Sequence, residues 1–452
     1  MYILKMEFLA IILAAGKGTR LKSNLSKPLH EVAGYPLITW VSKAAHAAGA
    51  STQICVISPD EQQLYRELSH NMKTVTQVAP KGTGDAVRCC LPHIEKLPKD
   101  YPILILYADT PLIQSDTLRA LANRIEAGTH ICLVGFTADD PTGYGRIILS
   151  EEKMVKAIVE DKDASEEEQK ICLVNGGVMA AKAGLLAHFL PQLTSTNSQN
   201  EQYLTDIVSL ANDKGALIDV LVTEENELAG VNDRAQLAHV EAIMQSRLRD
   251  EAMANGVTLQ APETIFLSAD TSFGTDIVIE PHVVIGKDVS IANNSIIKAF
   301  SHIEGASVGK YCVVGPYARL RPGTILRQNV KIGNFVETKN VTFEDSSKAN
   351  HLSYLGDAEI GQKVNIGAGT ITCNYDGVNK LKTTIHDGAF IGSNSALVAP
   401  ITIGKDALVG AGSVITKDVD DNALGITRSP QKQIKDGAGL HHKKAHKKRL
   451  ET

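Results

Sequence analysis

A Rossmann-like α/β domain followed by a left-handed parallel β-helix of hexapeptide repeats is the fold that the sequence predicts, on three observations. Aliphatic residues recur at every sixth position between residues 277 and 415. A short, wholly apolar run, Phe8 to Leu13, leads straight into a glycine-containing loop. Further apolar runs at Ile54–Ile57 and Ile103–Leu106 alternate with helix-like stretches, as in an open α/β sheet. At 452 residues the chain exceeds a single core. The expected division is an α/β domain over 1–235, a helical linker over 236–256, the β-helix over 257–430 and a basic, disordered tail over 431–452.

Composition narrows the function classes. A formal charge of -5 argues against nucleic acid as the main partner. The one basic concentration, His441 to Arg449, reads as a solvated terminus before it reads as an anion-attracting arm. Seven cysteines, in no CxxC spacing, indicate neither a disulfide framework nor a zinc site and suit a reducing cytosol. The opening Met1-Tyr2-Ile3-Leu4-Lys5-Met6-Glu7 is interrupted by charge and is not a signal peptide, and no stretch is long enough to span a membrane. A cytoplasmic protein is expected.

In the first half, Phe8–Leu13 has the continuous apolar character of a strand buried on both faces. It feeds Ala14-Ala15-Gly16-Lys17-Gly18-Thr19-Arg20-Leu21. Strand, glycine loop and helix let backbone N–H groups approach phosphates, and Lys17 and Arg20 add positive charge. The third Rossmann glycine and the Walker ending are both missing. Strand Ile103–Leu106 ends in Tyr107-Ala108-Asp109, which puts a carboxylate at the strand's carboxyl end, where α/β folds bind ligands. Read alone, Asp109 is equally a turn residue before Pro111; beside the glycine loop it reads as a Mg²⁺ ligand. Gly230 to Arg234 precedes a helix with an apolar face at Leu237, Val240, Met244 and Leu248 and with Gly256 past its end, so Asn232 also reads as an N-cap.

The string Leu-Ala-Ala-Gly-x-Gly-Thr-Arg-Leu, followed by Lys27-Pro28, resembles the sugar-phosphate nucleotidyltransferases. The resemblance implies a nucleotidyltransferase domain in which Leu13, Ala14, Ala15, Gly16, Lys17, Gly18 and Lys27 bind UTP, with Lys27 and Arg20 catalytic. Gln77, Gly82 and Thr83 match the base-reading segment, the Gln77 amide suiting uracil, and Tyr107 joins them. Gly145, Glu160 and Asn175 match the sugar-binding stretches, and Asn232 becomes the second Mg²⁺ ligand beside Asp109.

The second half carries the repeat. Ile279, Ile285, Ile291, Ile297 and Ile303 form one run; Val308, Val314, Leu320, Leu326 and Ile332 form another. Ile385, Ile391, Leu397, Ile403, Val409 and Ile415 form the last. A coil that turns a corner every six residues stacks them inside, and the glycines that follow many of them are expected at bends needing positive φ. The repeat is expected to break between Ile332 and Ile360, where His351, Tyr354, Lys339 and several Asn residues gather. A histidine there can take the proton of an attacking amine at neutral pH, while Arg321, Lys339 and Tyr354 can hold a sugar phosphate.

These stretches together resemble the bifunctional bacterial enzymes that join glucosamine-1-phosphate acetyltransferase to N-acetylglucosamine-1-phosphate uridylyltransferase, from Phe8 to about Pro430. The resemblance implies UDP-N-acetylglucosamine synthesis for the cell envelope, with Mg²⁺, acetyl-CoA and UTP, in a homotrimer whose β-helix sites form between subunits. It implies His351 as general base and Arg321, Lys339, Tyr354 and Asn365 as the glucosamine-1-phosphate site. Acetyl-CoA would lie along Ala368, Ser393, Ala411 and Arg428, with Asn374 and Tyr375 lining the same pocket. A nucleotidyltransferase with a merely oligomerising β-helix is the alternative, and the His351 cluster speaks against it. Ala108, Ser26 and Asp85 depart from the usual Gly, Pro and His of the family.

Overall fold

In the computed structural model, residues 7–16, 18–61, 64 and 72–450 are described. Lys17 and the opening Met1–Met6 lie outside the described residues. The chain divides into two compact units, one ending at Leu248 and the other beginning at Arg249.

The first unit is built on a nine-stranded sheet. Phe8–Leu13 sits near its middle, paired in parallel with Ala50–Ile57 on one side and Pro102–Tyr107 on the other. All six of its residues are buried, as its unbroken apolar sequence requires. Leu173–Lys182 enters antiparallel between Pro102–Tyr107 and Ile131–Thr137, so the sheet is mixed. Helices Leu37–Ala48 and Ser115–Glu126 bury their apolar stripes on one face (Val41, Ala45, Leu118, Leu121). Trp40 stands on the first of these helices, its indole N–H donating to Val32 O at 2.9 Å and its ring 5.6 Å from that of Tyr35.

Helix Arg234–Ala254 forms where the apolar spacing predicts it, with Val240 and Met244 buried. Its N-cap differs from the expectation. Asp233, not Asn232, accepts from the N–H of Gln236 at 2.9 Å, which leaves the Asn232 side chain for other work.

The second unit is a left-handed parallel β-helix. Successive coils pair in parallel register: Val278 with Ile296, Ile296 with Val313 and Val313 with Lys331. Every one of the five, five and six aliphatic residues of the three runs is buried to within 3% exposure. The glycine expectation is corrected. Of the glycines that follow stacked residues, Gly315 takes positive φ, at 95°, while Gly333 is needed for close approach: a β-carbon there would fall on the carbonyl oxygen of Asn350 in the next coil. The left-handed positions belong instead to Asp276, His282, Asp288, Asn294 and Phe300, three residues before each stacked aliphatic. At one corner these side chains stack in turn, His282 on Phe300, Phe300 on Tyr317 and Tyr317 on Phe335, with centroids 4.8–5.3 Å apart.

The expected break between Ile332 and Ile360 is also corrected. Lys331, Lys348 and Asn365 are register partners in consecutive coils, and Ile332, Ala349 and Ile366 stack without interruption. Two of the stacked positions there carry small side chains, Thr338 and Ala349, and both are fully buried, while Phe343 between them is large and equally buried. The true insertion comes later, between Asn365 and its next partner Phe390, where Tyr375 and Lys380 bridge an antiparallel loop. The basic tail, expected as a disordered terminus, is exposed over its described side chains and runs as a helix from Gly437 to Leu450.

Candidate active sites

At the carboxyl ends of the central strands of the first unit lies a cavity of about 250 Å³. Ten of the residues expected to bind nucleotide line it: Leu13, Ala14, Ala15, Gly16, Lys27, Gln77, Gly82, Thr83, Tyr107 and Asp109. The strand ends set their places. Ala14 N–H donates to Val56 O and Ala108 N–H to Leu13 O, so the glycine loop and the Tyr107–Asp109 segment leave the sheet side by side. Gly18 is left-handed, and a β-carbon on it would press within 2.6 Å of the Lys27 stem; that glycine makes room for the lysine.

Lys27 is the hub of the site. Its Nζ makes an ion pair with Asp109 and donates to Asn232 Oδ1 at 2.8 Å. Val231 N–H donates to Asp109 O at 2.9 Å, which ties the two oxygen-bearing loops together. A carboxylate and an amide oxygen therefore converge on a point already held by a cation. Such a hard-oxygen pair fits a Mg²⁺ ion whose remaining positions go to water or phosphate.

A second cluster adjoins this cavity through Tyr107. Burial, then the charges of Glu160 and Asp109, push the Tyr107 phenol up from its ordinary range, opposed by a hydrogen bond with Thr83. The carboxyl of Glu160 is likewise raised by burial and by the nearby acids Asp206, Asp163 and Asp161, against a 2.9 Å hydrogen bond from Thr205. Gly145 lies against Glu160, and its carbonyl accepts from Asn175 N–H at 2.7 Å. Arg20 is exposed on the short helix Thr19–Leu21 and does not line the cavity.

The sequence reading misses the segment Glu201–Asp206. Glu201 lines the cavity, Gln202 O accepts from Gly84 N–H at 2.8 Å, and Leu204 N–H donates to Thr83 Oγ1 at 3.1 Å. The available signal was Thr205-Asp206 at the start of helix Asp206–Asn212, an acidic, hydroxyl-bearing pair just where side chains compete for helix ends.

On the β-helix, His351 is exposed and its Nδ1 lies 2.9 Å from Asn334 Oδ1, its register partner one coil earlier. With the amide oxygen accepting from Nδ1–H, the Nε2 lone pair faces outward as a base. Lys339 pairs in register with Gly356, and Arg321 N–H bonds to Thr338 O, so Arg321 and Lys339 follow one another along one face. Arg321 is paired with Glu337 at 2.8 Å. Lys380, which the sequence reading misses because the inserted loop delivers it, contacts Lys339; that contact and the charges of Lys380 and Arg321 hold the Lys339 ammonium below its usual range. Such crowded cations are relieved by an anion. Tyr354 and Asn374 meet above Gly356, where a β-carbon would lie 2.6 Å from the Tyr354 hydroxyl and 3.0 Å from Asn374 Nδ2.

Ala368, Ser393 and Ala411 occupy the same corner of successive coils, Ala368 O and Ser393 O accepting from Asn394 and Gly412 at 2.7 and 2.8 Å. Arg428 Nη1 closes this row on Ala411 O at 2.9 Å. Asn365 lies on a different face from Arg321, Lys339 and Tyr354, and the exposed Tyr375 bonds within its own loop to Gly377 O. A single chain does not gather those two with the cationic group.

Residues 10–171 match the MobA-like NTP transferase domain, and residues 382–417 match the bacterial transferase hexapeptide, a model of six repeats. The chain is 47% identical over 424 residues to the Bifunctional protein GlmU of Sphingopyxis alaskensis, covering 93% of each chain. It is 44% identical to the protein of that name from Bartonella quintana, over 95% of this chain and 96% of the relative, and 47% identical to that of a Bradyrhizobium species over 97% of each. With likeness running nearly end to end, the chain belongs to the bifunctional GlmU family.

Proposed function

We propose that the chain makes UDP-N-acetylglucosamine in two transfers, one in each unit. On the β-helix, glucosamine-1-phosphate is acetylated by acetyl-CoA. In the α/β unit, N-acetylglucosamine-1-phosphate takes a uridylyl group from UTP and releases pyrophosphate. The observation that carries this reading is that one chain holds both constellations: the Lys27–Asp109–Asn232 cluster at a nucleotide-sized cavity, and a β-helix that carries both His351, held by Asn334, and a group of crowded cations around Lys339.

Acetyl transfer needs a deprotonated amine and a held phosphate. Arg321, Lys339 and Lys380 bind the dianionic phosphate, with Tyr354 and Asn374 beside them. The amine nitrogen attacks the thioester carbonyl, its proton passes to His351 Nε2, and the C–S bond breaks to release the thiol of CoA. The corner row Ala368–Ser393–Ala411–Arg428 holds the acetyl-CoA. Asn365 and Tyr375 act from a neighbouring copy, as they would in a homotrimer. The half-exposed column His282–Phe300–Tyr317–Phe335 gives copies of the chain apolar surface to pack on.

In uridylyl transfer a phosphate oxygen of the sugar attacks the α-phosphorus in line as the bond to the β,γ-pyrophosphate breaks. Catalysis is positioning plus charge neutralisation. The glycine loop and Lys27 hold the phosphates, and Gln77, Gly82 and Thr83 seat the uracil. Glu160, Asn175 and Gly145 receive the sugar. A Mg²⁺ ion on Asp109 and Asn232 would supply further neutralisation of phosphate charge. No helix among the described residues is long and apolar enough to cross a membrane, and a cytoplasmic location fits these soluble substrates.

The test is incubation of the purified chain with glucosamine-1-phosphate, acetyl-CoA, UTP and Mg²⁺, followed by mass spectrometry. UDP-N-acetylglucosamine is expected. Asp109→Ala is expected to stop at N-acetylglucosamine-1-phosphate, and His351→Ala to lose acetylation by about a hundredfold or more while still uridylylating supplied N-acetylglucosamine-1-phosphate. Loss of both activities in either folded variant would overturn the division of labour.

A further inference from the structure

We propose that Asp85 is a positioning residue for base recognition: anchored by Arg88, it fixes which way the Gln77 amide faces and so sets the preference for uracil over cytosine. The inference rests on the uridylyl-transfer reading above and adds to it the device that orients the base reader.

Gln77 follows strand Lys73–Thr76, its backbone N–H donating to Ile57 O at 2.8 Å. Its side chain is 5% exposed and lines the cavity. One terminal atom of its amide lies 3.1 Å from Gly82 O and 2.8 Å from Asp85 Oδ2. A carbonyl and a carboxylate can only accept, so that atom is the amide nitrogen and both of its hydrogens are used. The acceptor Oε1 is then left for the cavity, and among the described residues no donor reaches it. A lone acceptor at that point matches the N3–H of uracil. Against cytosine it meets the N3 lone pair, a contact between two acceptors.

Asp85 is what makes this orientation firm. It is 7% exposed, and a carboxylate so buried needs a partner of opposite charge. Arg88, three residues on along helix Thr83–Arg88, supplies one, with Nη2 2.5 Å from Asp85 Oδ1. One carboxylate oxygen is thereby engaged by the guanidinium and the other is presented to Gln77.

The experiment measures kcat/KM of the full-length chain for UTP and for CTP, with N-acetylglucosamine-1-phosphate as acceptor. In Asp85→Asn, of nearly unchanged size, Arg88 claims the amide oxygen and the amide nitrogen faces Gln77. Gly82 O still accepts from the Gln77 nitrogen while the new amide nitrogen opposes it, so the orientation is no longer held, and the UTP-to-CTP ratio is expected to fall at least about tenfold, with CTP use rising. Asp85→Ala removes the acceptor without adding a donor, so a smaller, severalfold drop is expected. In Asp85→Asn/Arg88→Ala the asparagine is free to rotate back, and the ratio is expected to recover towards the wild-type value. A ratio unchanged in the folded single variants, even with slower turnover, overturns the orienting role and leaves the uridylyl reading intact. Failure of the unaltered chain to use UTP at all overturns both.

Discussion

Ser26 precedes the hub lysine and has φ -55°, within the range that a proline ring imposes. Its hydroxyl is buried with no hydrogen-bond partner among the described residues. Ser26→Pro removes that unpaired group and stiffens the unfolded chain, so it is expected to stabilise the first unit by about 1 kcal/mol. A higher denaturant midpoint with unchanged slope would show it. At this scale the sequence is generous where a side chain is chosen for chemistry: Lys27, Asp109 and Asn232 can be named from their motifs and do converge. It is silent where a residue's importance comes from what the fold brings beside it. Lys380 looks like any surface lysine until the inserted loop puts it on Lys339, and Glu201 until its segment folds against Thr83.

Among the elements, the coils of the β-helix are the most exacting. Gly333 is pressed on the backbone of the next coil at Asn350, the residue before His351. Gly333→Ala must push that backbone aside, at a cost of about 1–3 kcal/mol. The expected result is a loss of acetyl transfer with uridylyl transfer retained, read from the two activities in one preparation. The inserted loop has its own clamp. Asp357 accepts from Asn340 at 2.6 Å and from Asn374. Burial works to raise its pKa, but the hydrogen bonds from Asn340 and Asn374 and the charges of Lys380 and Lys339 hold it below the usual carboxylate range. A depressed carboxyl stabilises the fold above its unfolded pKa of about 3.9, and that contribution fades as pH falls through the lower folded value. Asp357→Asn is therefore expected to be less stable than the unaltered chain near neutral pH, by about 1–2 kcal/mol, with the gap closing below about pH 4. Denaturant melts at the two pH values would test it. Aliphatic periodicity makes the coil legible because stacking demands it at every turn. The left-handed corners are not legible, because Asp, Asn, His and aromatic residues all fill them and no single residue type marks the position.

For the molecule as a whole, the repeat marks the second unit as a solenoid, where each coil rests on its neighbours and stability is close to a sum of local terms. The first unit has instead a sheet with core on both faces. That contrast is legible in the sequence, since a period of six and an alternation of apolar runs with helix patterns cannot describe the same architecture. The chain's single tryptophan, Trp40, belongs to the first unit, wedged by its bond to Val32 and its contact with Tyr35. Indole emission is thus a private gauge of the nucleotide-binding half. During unfolding it is expected to follow the loss of uridylyl transfer and to stay blind to a weakened solenoid, whose melting registers in far-ultraviolet circular dichroism. A Gly333→Ala chain whose dichroism midpoint falls while its indole curve stays put would turn one buried ring into a means of assigning any destabilising substitution to its half of the enzyme.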